Sequence, residues 1–400
     1  MIHFAIRGLI AAVLLSGVGP AAGQEDDFRL WETDTYAEGV LVLAPGLAEE
    51  GAFGEGEAGL FEIALGGSAE RILESGARVG FRGAFRLQKD HSGRPGFAGN
   101  LAQAGLAGPR GGFTGLAAGP AAEATGPRGS VESAHIYLEG GYGEVSAGRD
   151  RGVAARFHEG NVGVFSHAGA ASPFLDPSGY NLVQTRHDLT GPSAKLSYTS
   201  PRLLGLKAGL SYTPQAEARG LDRNPVFDGA DIAAPELENG FELALNGSRR
   251  LRDSGLRLRA GLGYSTAGLS GPRAETGRRA RVETYSAGGE LEKGRWRAGV
   301  NALFSDEGLE TADYSAWSAG LAFEEGNWTY SASFGAASAD VISAESTSFA
   351  LGAARDLGEI GRIAFGYQEH DLDLQATAPM PRVPFGARRD GIVVEITLVP

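Results

Sequence analysis

From about residue 36 onward the chain returns again and again to one pattern, short segments in which apolar and polar residues alternate. "GLFEIALG" sets Phe61, Ile63 and Leu65 on one face and Leu60, Glu62 and Ala64 on the other. "ARVGFRGAFRLQ" sets Val79, Phe81, Phe85 and Leu87 against Arg78, Arg82 and Arg86. The alternation returns in "GLRLRAGLGY", "RWRAGVNALF", "WSAGLAF", "WTYSASFG", "RIAFGYQ" and "GIVVEITL". A period of two marks strands with two unlike faces. Segments of about ten residues also match a tilted strand crossing a bilayer. A helix competes only for the arginine run, where Arg78, Arg82 and Arg86 would share one helical face. Like charges at that spacing repel, and Gly76, Gly80 and Gly83 would each cost a helix interior about 1 kcal/mol. The strand is the better reading.

Alternation alone does not separate a soluble sandwich from a barrel. The N-terminus narrows the choice. "MIHFAIRGLIAAVLLSGVGPAAGQ" joins Arg7 to an apolar stretch, Gly8 to Val18, and places the small residues Ala21 and Gly23 where a signal peptidase needs them. Residues 1–23 read as an export signal and residues 24–400 as the exported domain. That apolar stretch is shorter than the roughly 18 residues a spanning helix requires. With no later helix candidate, the exported chain is soluble or crosses a membrane as a closed barrel.

Spacing favours the barrel. Strands are expected near residues 36–44, 55–66, 76–89, 131–140, 143–150, 193–199, 204–213 and 239–250. Eight more are expected near 255–266, 280–291, 295–305, 313–323, 327–338, 345–355, 360–369 and 390–399. None of the prolines falls inside these segments, as ladder hydrogen bonding requires of central strands. Short connections such as "GGYG", "RDSG", "EKG" and "EEGN" alternate with long ones near 90–130, 151–192, 214–238 and 370–389. Short turns on one rim and long loops on the other are the layout of an outer-membrane barrel. Tyr198, Trp296, Phe323 and Trp328 lie beside short turns, while Tyr212, Tyr264, Phe304 and Tyr367 lie beside long loops, as two interfacial girdles require. The expected fold is an all-β, closed antiparallel transmembrane barrel of about sixteen strands in the outer membrane.

Composition excludes other chemistry. A formal charge of -13 gives no overall basic face for nucleic acid, and the absence of cysteine removes thiolate catalysis and disulfides. "GEGEAG", Gly54 to Gly59, has the letters of a dinucleotide loop but no buried strand before it or helix after it. The histidines are dispersed and no G-x-S-x-G occurs, so the sequence offers no catalytic grouping and no cofactor. Asp222, Asp228, Asp231, Glu236 and Glu238 could collect Ca²⁺ or bridge to lipopolysaccharide through it; solvated loop charge is the plainer reading.

The hairpin "AHIYLEGGYGEVSAGRD" is similar to one in Gram-negative general porins, where a strand, a Gly-aromatic-Gly turn and a second strand ending in Gly-Arg precede the constriction loop. "TRHDLTGPSAKLSYTSPRLLGLKAGLSYTP" resembles the strand pair that follows that loop, especially in porins of alphaproteobacterial type. One departure is the C-terminus, where Val399 and Pro400 stand in place of the family's aromatic residue; it bears on the assembly signal more than on the fold. The resemblance implies that residues 151–192 fold into the barrel and carry Glu159 and Asp176 toward the lumen. Arg78, Arg82 and Arg86 would face them, with Arg149 and Asp150 at the root of the loop, giving a transverse field across a water-filled constriction. For Arg149 and Asp150 an ordinary rim ion pair is the alternative. Small hydrophilic solutes and ions, outer-membrane lipid, lipopolysaccharide and two further copies in a homotrimer are the implied partners. A non-conducting surface barrel, an adhesin or structural protein, is the competing class.

Overall fold

The structure, a computed structural model, describes residues 31–45, 47, 59–91, 101–102, 110–116, 118–119, 126–179, 181–216, 236–270, 277–374 and 385–399. The expected export signal, most of "GEGEAG", and Asp222, Asp228 and Asp231 lie outside them.

Sixteen strands close into one barrel. They are β1 (Glu32–Leu43), β2 (Gly59–Ile72), β3 (Arg78–Lys89), β4 (Arg128–Gly140), β5 (Gly143–Asp150), β6 (Ser193–Thr199), β7 (Leu206–Ala216) and β8 (Glu236–Leu251). The circuit continues through β9 (Leu256–Ser270), β10 (Arg281–Lys293), β11 (Trp296–Ser305), β12 (Tyr314–Glu325), β13 (Trp328–Ala339), β14 (Ala344–Asp356), β15 (Gly361–Leu374) and β16 (Phe385–Leu398). Each strand pairs antiparallel with its neighbours in sequence, and β16 returns to β1 from Gly39 opposite Leu398 to Leu43 opposite Val394. Closure leaves no sheet edge unpaired. A two-residue parallel pair, Leu101–Ala102 with Ala118–Gly119, sits in the β3–β4 connection.

Every expected strand is present, with boundaries that differ for local reasons. β2 runs on to Ile72 because Ser68 and Glu70 keep the inward parity of Glu62 after the apolar signal stops at Gly66 and Gly67. β7 continues through Pro214, which lay outside its expected end. The register there skips the pair Pro214 and Asn239, and Asn239 has φ 50°, so the proline sits where no ladder donor is required. Two-residue connections after Lys293 and Glu325 turn on Gly294 (φ 61°) and Gly326 (φ 59°), a backbone region glycine enters without a side-chain penalty.

The sidedness is the reverse of a soluble core. Ile136 (61% exposed), Val300 (61%) and Ile392 (62%) stand on the outer face, together with Leu138, Val145, Phe81 and Phe85. Ser146, Ser211, Ser265, Thr284 and Ser305 are buried inside. A continuous apolar belt of this extent is unfavourable in water and is the surface a bilayer covers. Two aromatic girdles bound it. Trp296 meets Phe323 at 4.8 Å and Trp328 meets Phe365 at 6.1 Å near the short turns, while Tyr212 meets Phe241 at 4.9 Å and Tyr264 meets Tyr285 at 5.1 Å near the long loops. The short-turn rim is therefore the periplasmic one.

Candidate functional site

The connection from β5 to β6, residues 151–192, lies inside the barrel. It opens with a single helical turn, α1 (Val153–Arg156), then follows the inner wall almost all the way round before doubling back. On the outward pass Val153 N–H donates to Ser211 Oγ on β7 (3.1 Å), Ala154 N–H to Glu242 on β8 (3.1 Å) and Val164 N–H to Ser331 Oγ on β13 (2.9 Å). Glu395 on β16 then takes three successive backbone donors, Ser166 (2.8 Å), His167 (3.0 Å) and Ala168 (2.8 Å), and the Ser166 hydroxyl (2.7 Å). On the return, Gln184 N–H reaches the Tyr314 hydroxyl on β12 (2.7 Å), His187 bridges Ser286 and Ser265, and Thr190 donates to Glu242 (2.6 Å). Buried backbone groups that leave the strand ladder need such partners, and serine and glutamate at inward positions supply them.

The wall makes room for this loop with glycine. Inward positions on consecutive strands are Gly261 on β9, Gly288 on β10, Gly299 on β11 and Gly320 on β12. A Cβ at these positions would stand 2.2 Å from Phe157 O, 2.0 Å from Glu159 O, 2.5 Å from Gly160 O and 2.0 Å from Val162 O respectively. The four glycines form a groove that seats the loop backbone directly on the sheet, a close approach that any side chain would prevent.

Of the residues expected at the constriction, three arginines lie together on one strand. Arg78, Arg82 and Arg86 share the inward face of β3 with Gly80 and Gln88. They do not face an acidic loop. Their carboxylate partners come from the wall beside and behind them: Arg78 with Glu70 (3.9 Å), Arg82 with Glu144 (3.5 Å), and Arg86 with Glu62 (3.2 Å) and Glu132 (3.9 Å). The loop brings more arginine. Arg151 pairs with Glu132 (2.8 Å) and Asp188 (2.9 Å), Arg156 pairs with Glu144 (3.0 Å) and Asp150 (3.6 Å), and Phe174 takes Arg186 and Arg86 over its ring at 3.8 and 4.7 Å. A cavity of about 400 Å³ opens here, bounded by Asp34, Tyr36, Ser68, Arg82, His135 and Arg156.

Three expectations need correction. Arg149 stands on the outer parity of β5 with Val145 and Ala147, opposite Ala134 and Ala194, and its Nε donates to the Val131 carbonyl (2.6 Å). Adjacent strand residues point to opposite faces, so the wall separates Arg149 from Asp150 and rules out a pair between them. Asp150 does face inward, accepting the Arg151 N–H (2.8 Å) with Arg156 beside it. Asp176 is fully buried, and its carboxylate accepts the Ser178 N–H (3.0 Å), the Ser178 hydroxyl (2.6 Å) and the Asn181 N–H (2.9 Å), so it folds the loop and is not presented to the lumen. Glu159 lies round the wall from the arginines, accepting from Asn246 Nδ2 (2.9 Å), and forms no opposing pole. Next to it His158, packed into the same loop, has its pKa pushed down to about 4 by burial and by the charge of Arg186. Among the described residues no cluster of three metal-ligating side chains occurs.

Comparison with known proteins agrees with this architecture. A family model described as Gram-negative porin matches residues 53–374. No curated protein sequence matches the chain. Among solved structures it is similar to Salmonella typhi OmpF in complex with daunomycin, at 11% identity over 92% of this chain and 97% of that one, with TM-score 0.57. It is also similar to an anion-selective porin from Comamonas acidovorans (14% identity, 92% and 100% covered, TM-score 0.54) and to outer-membrane expressed OmpT of Vibrio cholerae (12%, 94% and 99%, 0.53). At such identities these structures share the fold, and the family match over most of the chain assigns the rest. The chain belongs to the Gram-negative porins, outer-membrane β-barrel channels.

Proposed function

We propose that this porin passes small hydrophilic solutes and ions by passive diffusion, with no chemical step, and that its constriction favours anions. The observation that carries the preference is the uneven exposure of the paired charges. The Arg78 and Arg82 side chains are 52% and 42% exposed, whereas Glu70 and Glu144 behind them are 28% and 13% exposed. Arg151 and Arg156 likewise stand in front of more buried carboxylates. A passing ion meets guanidinium first and feels each carboxylate from farther away, which biases a narrow aqueous gap toward negative charge. In this reading Arg78, Arg82, Arg86 and Asp150 line the path.

Residues 1–23 then act as the export signal, and the apolar belt serves lipid contact and assembly into a homotrimer. Lipopolysaccharide would meet the outer loops, where the acidic β7–β8 connection is the candidate for bridging Ca²⁺. A planar bilayer recording tests the channel reading. Purified folded protein is expected to give discrete conductance steps; a barrel that inserts and gives none is a non-conducting surface protein.

A further inference from the structure

The β3–β4 connection starts and ends on one side of the barrel, yet its segment Arg110–Leu116 is docked on the other. Glu307, in the β11–β12 connection, accepts the N–H groups of Phe113 (2.9 Å) and Thr114 (3.1 Å), and its own carbonyl accepts Gly112 N–H (2.8 Å). β11 and β12 lie eight strands round a sixteen-strand ring from β3 and β4, which is diametrically opposite. The dock is specific. A Cβ on Gly111 would stand 2.3 Å from the Glu307 carboxylate, and one on Gly112 would stand 2.9 Å from the Glu307 carbonyl. Phe113 is fully buried in one apolar cluster with inward-facing Val282, Leu303 and Tyr314, with the Tyr314 ring 5.9 Å away, and the constriction loop's Leu182 and Val183 belong to the same cluster. An apolar cluster inside the outer half of a barrel does not serve solvation of a pore; it fills one.

We propose that Arg110–Leu116 is a second restriction of this channel on its extracellular side. Docked through Glu307 and Phe113, it joins the return pass of the constriction loop to fill the outer lumen along β10–β12. The segment sets entrance size independently of the arginine-lined constriction below it. This inference rests on the channel reading given above.

Phe113→Asp places a charge in the apolar dock and alters no residue of a wall strand, so it is expected to release the segment. Single-channel conductance should rise by roughly 1.5-fold or more, with the larger pore admitting larger solutes in liposome swelling. Glu307→Gln, which keeps the shape and weakens the anchor, should move conductance the same way by less. Because the chain has no native cysteine, Thr114→Cys reports docking directly. Thr114 is 8% exposed, so a thiol there should react slowly with a polar maleimide, and rapidly when combined with Phe113→Asp. Conductance and labelling both unchanged in folded Phe113→Asp barrels would overturn the inference. Absence of any conductance in the parent protein would instead overturn the channel reading, leaving the labelling result to judge the dock alone.

Discussion

Replacing Gly320 by alanine tests how the constriction loop is held. The added Cβ would lie 2.0 Å from the Val162 carbonyl oxygen, and ordinary van der Waals contact begins at 3.4 Å. The difference, 3.4 minus 2.0, requires the loop to retreat from the wall by about 1.4 Å, since the sheet behind Gly320 is held on both sides by ladder hydrogen bonds. Overpacking of this kind costs about 1–3 kcal/mol. The retreat can only go inward, so the lumen narrows at that level. The expected results are a lower denaturant midpoint in detergent and a lower single-channel conductance. Adding Gly288→Ala, where the clash is with Glu159 O at 2.0 Å, should cost less than its separate effect, because one displacement of the loop relieves both clashes. Gly39→Ala is the control, with nothing within 4 Å of its Cβ. Gly320→Ala with midpoint and conductance both at the parent values, or no more affected than Gly39→Ala, would refute the seated-loop account.

Two further outcomes follow from the loop. Asp176→Asn should lower stability by about 1–3 kcal/mol, because it weakens a carboxylate serving three buried donors, while the sign of ion selectivity stays unchanged; a reversed or abolished selectivity would return Asp176 to the lumen. His158 has a folded-state pKa of about 4, below its unfolded value near 6.5, so the unfolded loop binds the proton first as pH falls. Loop docking should therefore weaken progressively from about pH 6.5 down to pH 4, and a His158→Gln variant should flatten that part of the midpoint-against-pH curve.

The barrel was legible because its physics is periodic. Outward Ile136, Leu138, Val145 and Ala147 were readable from alternation alone, and all four lie on the outer face. The same alternation carried the position of Arg149, two residues beyond Ala147 and on its side of the wall; the resemblance to a porin hairpin, which ends in Gly-Arg, outweighed it. Asp176 begins "DPSG", a local capping pattern for an aspartate that accepts from the backbone two residues on, so a structural role had a signal too. The glycine groove was hidden by dispersal. Gly261, Gly288, Gly299 and Gly320 are far apart in sequence and meet only through the register between β9, β10, β11 and β12. Arg151, Arg156 and Phe174 left no trace at all, because a loop that follows a wall has no period, and its partners Glu132, Glu144 and Arg86 are chosen by the closed topology.

The central claim is that ions pass along the guanidinium-fronted wall of β3. The reversal potential across a bilayer under a salt gradient measures it directly, for the parent protein and for a variant with Arg78, Arg82 and Arg86 all replaced by serine. The parent is expected to show a potential of the anion-selective sign, and the variant a shift toward or past zero with discrete conductance steps retained. An unchanged reversal potential in the serine variant would contradict the claim.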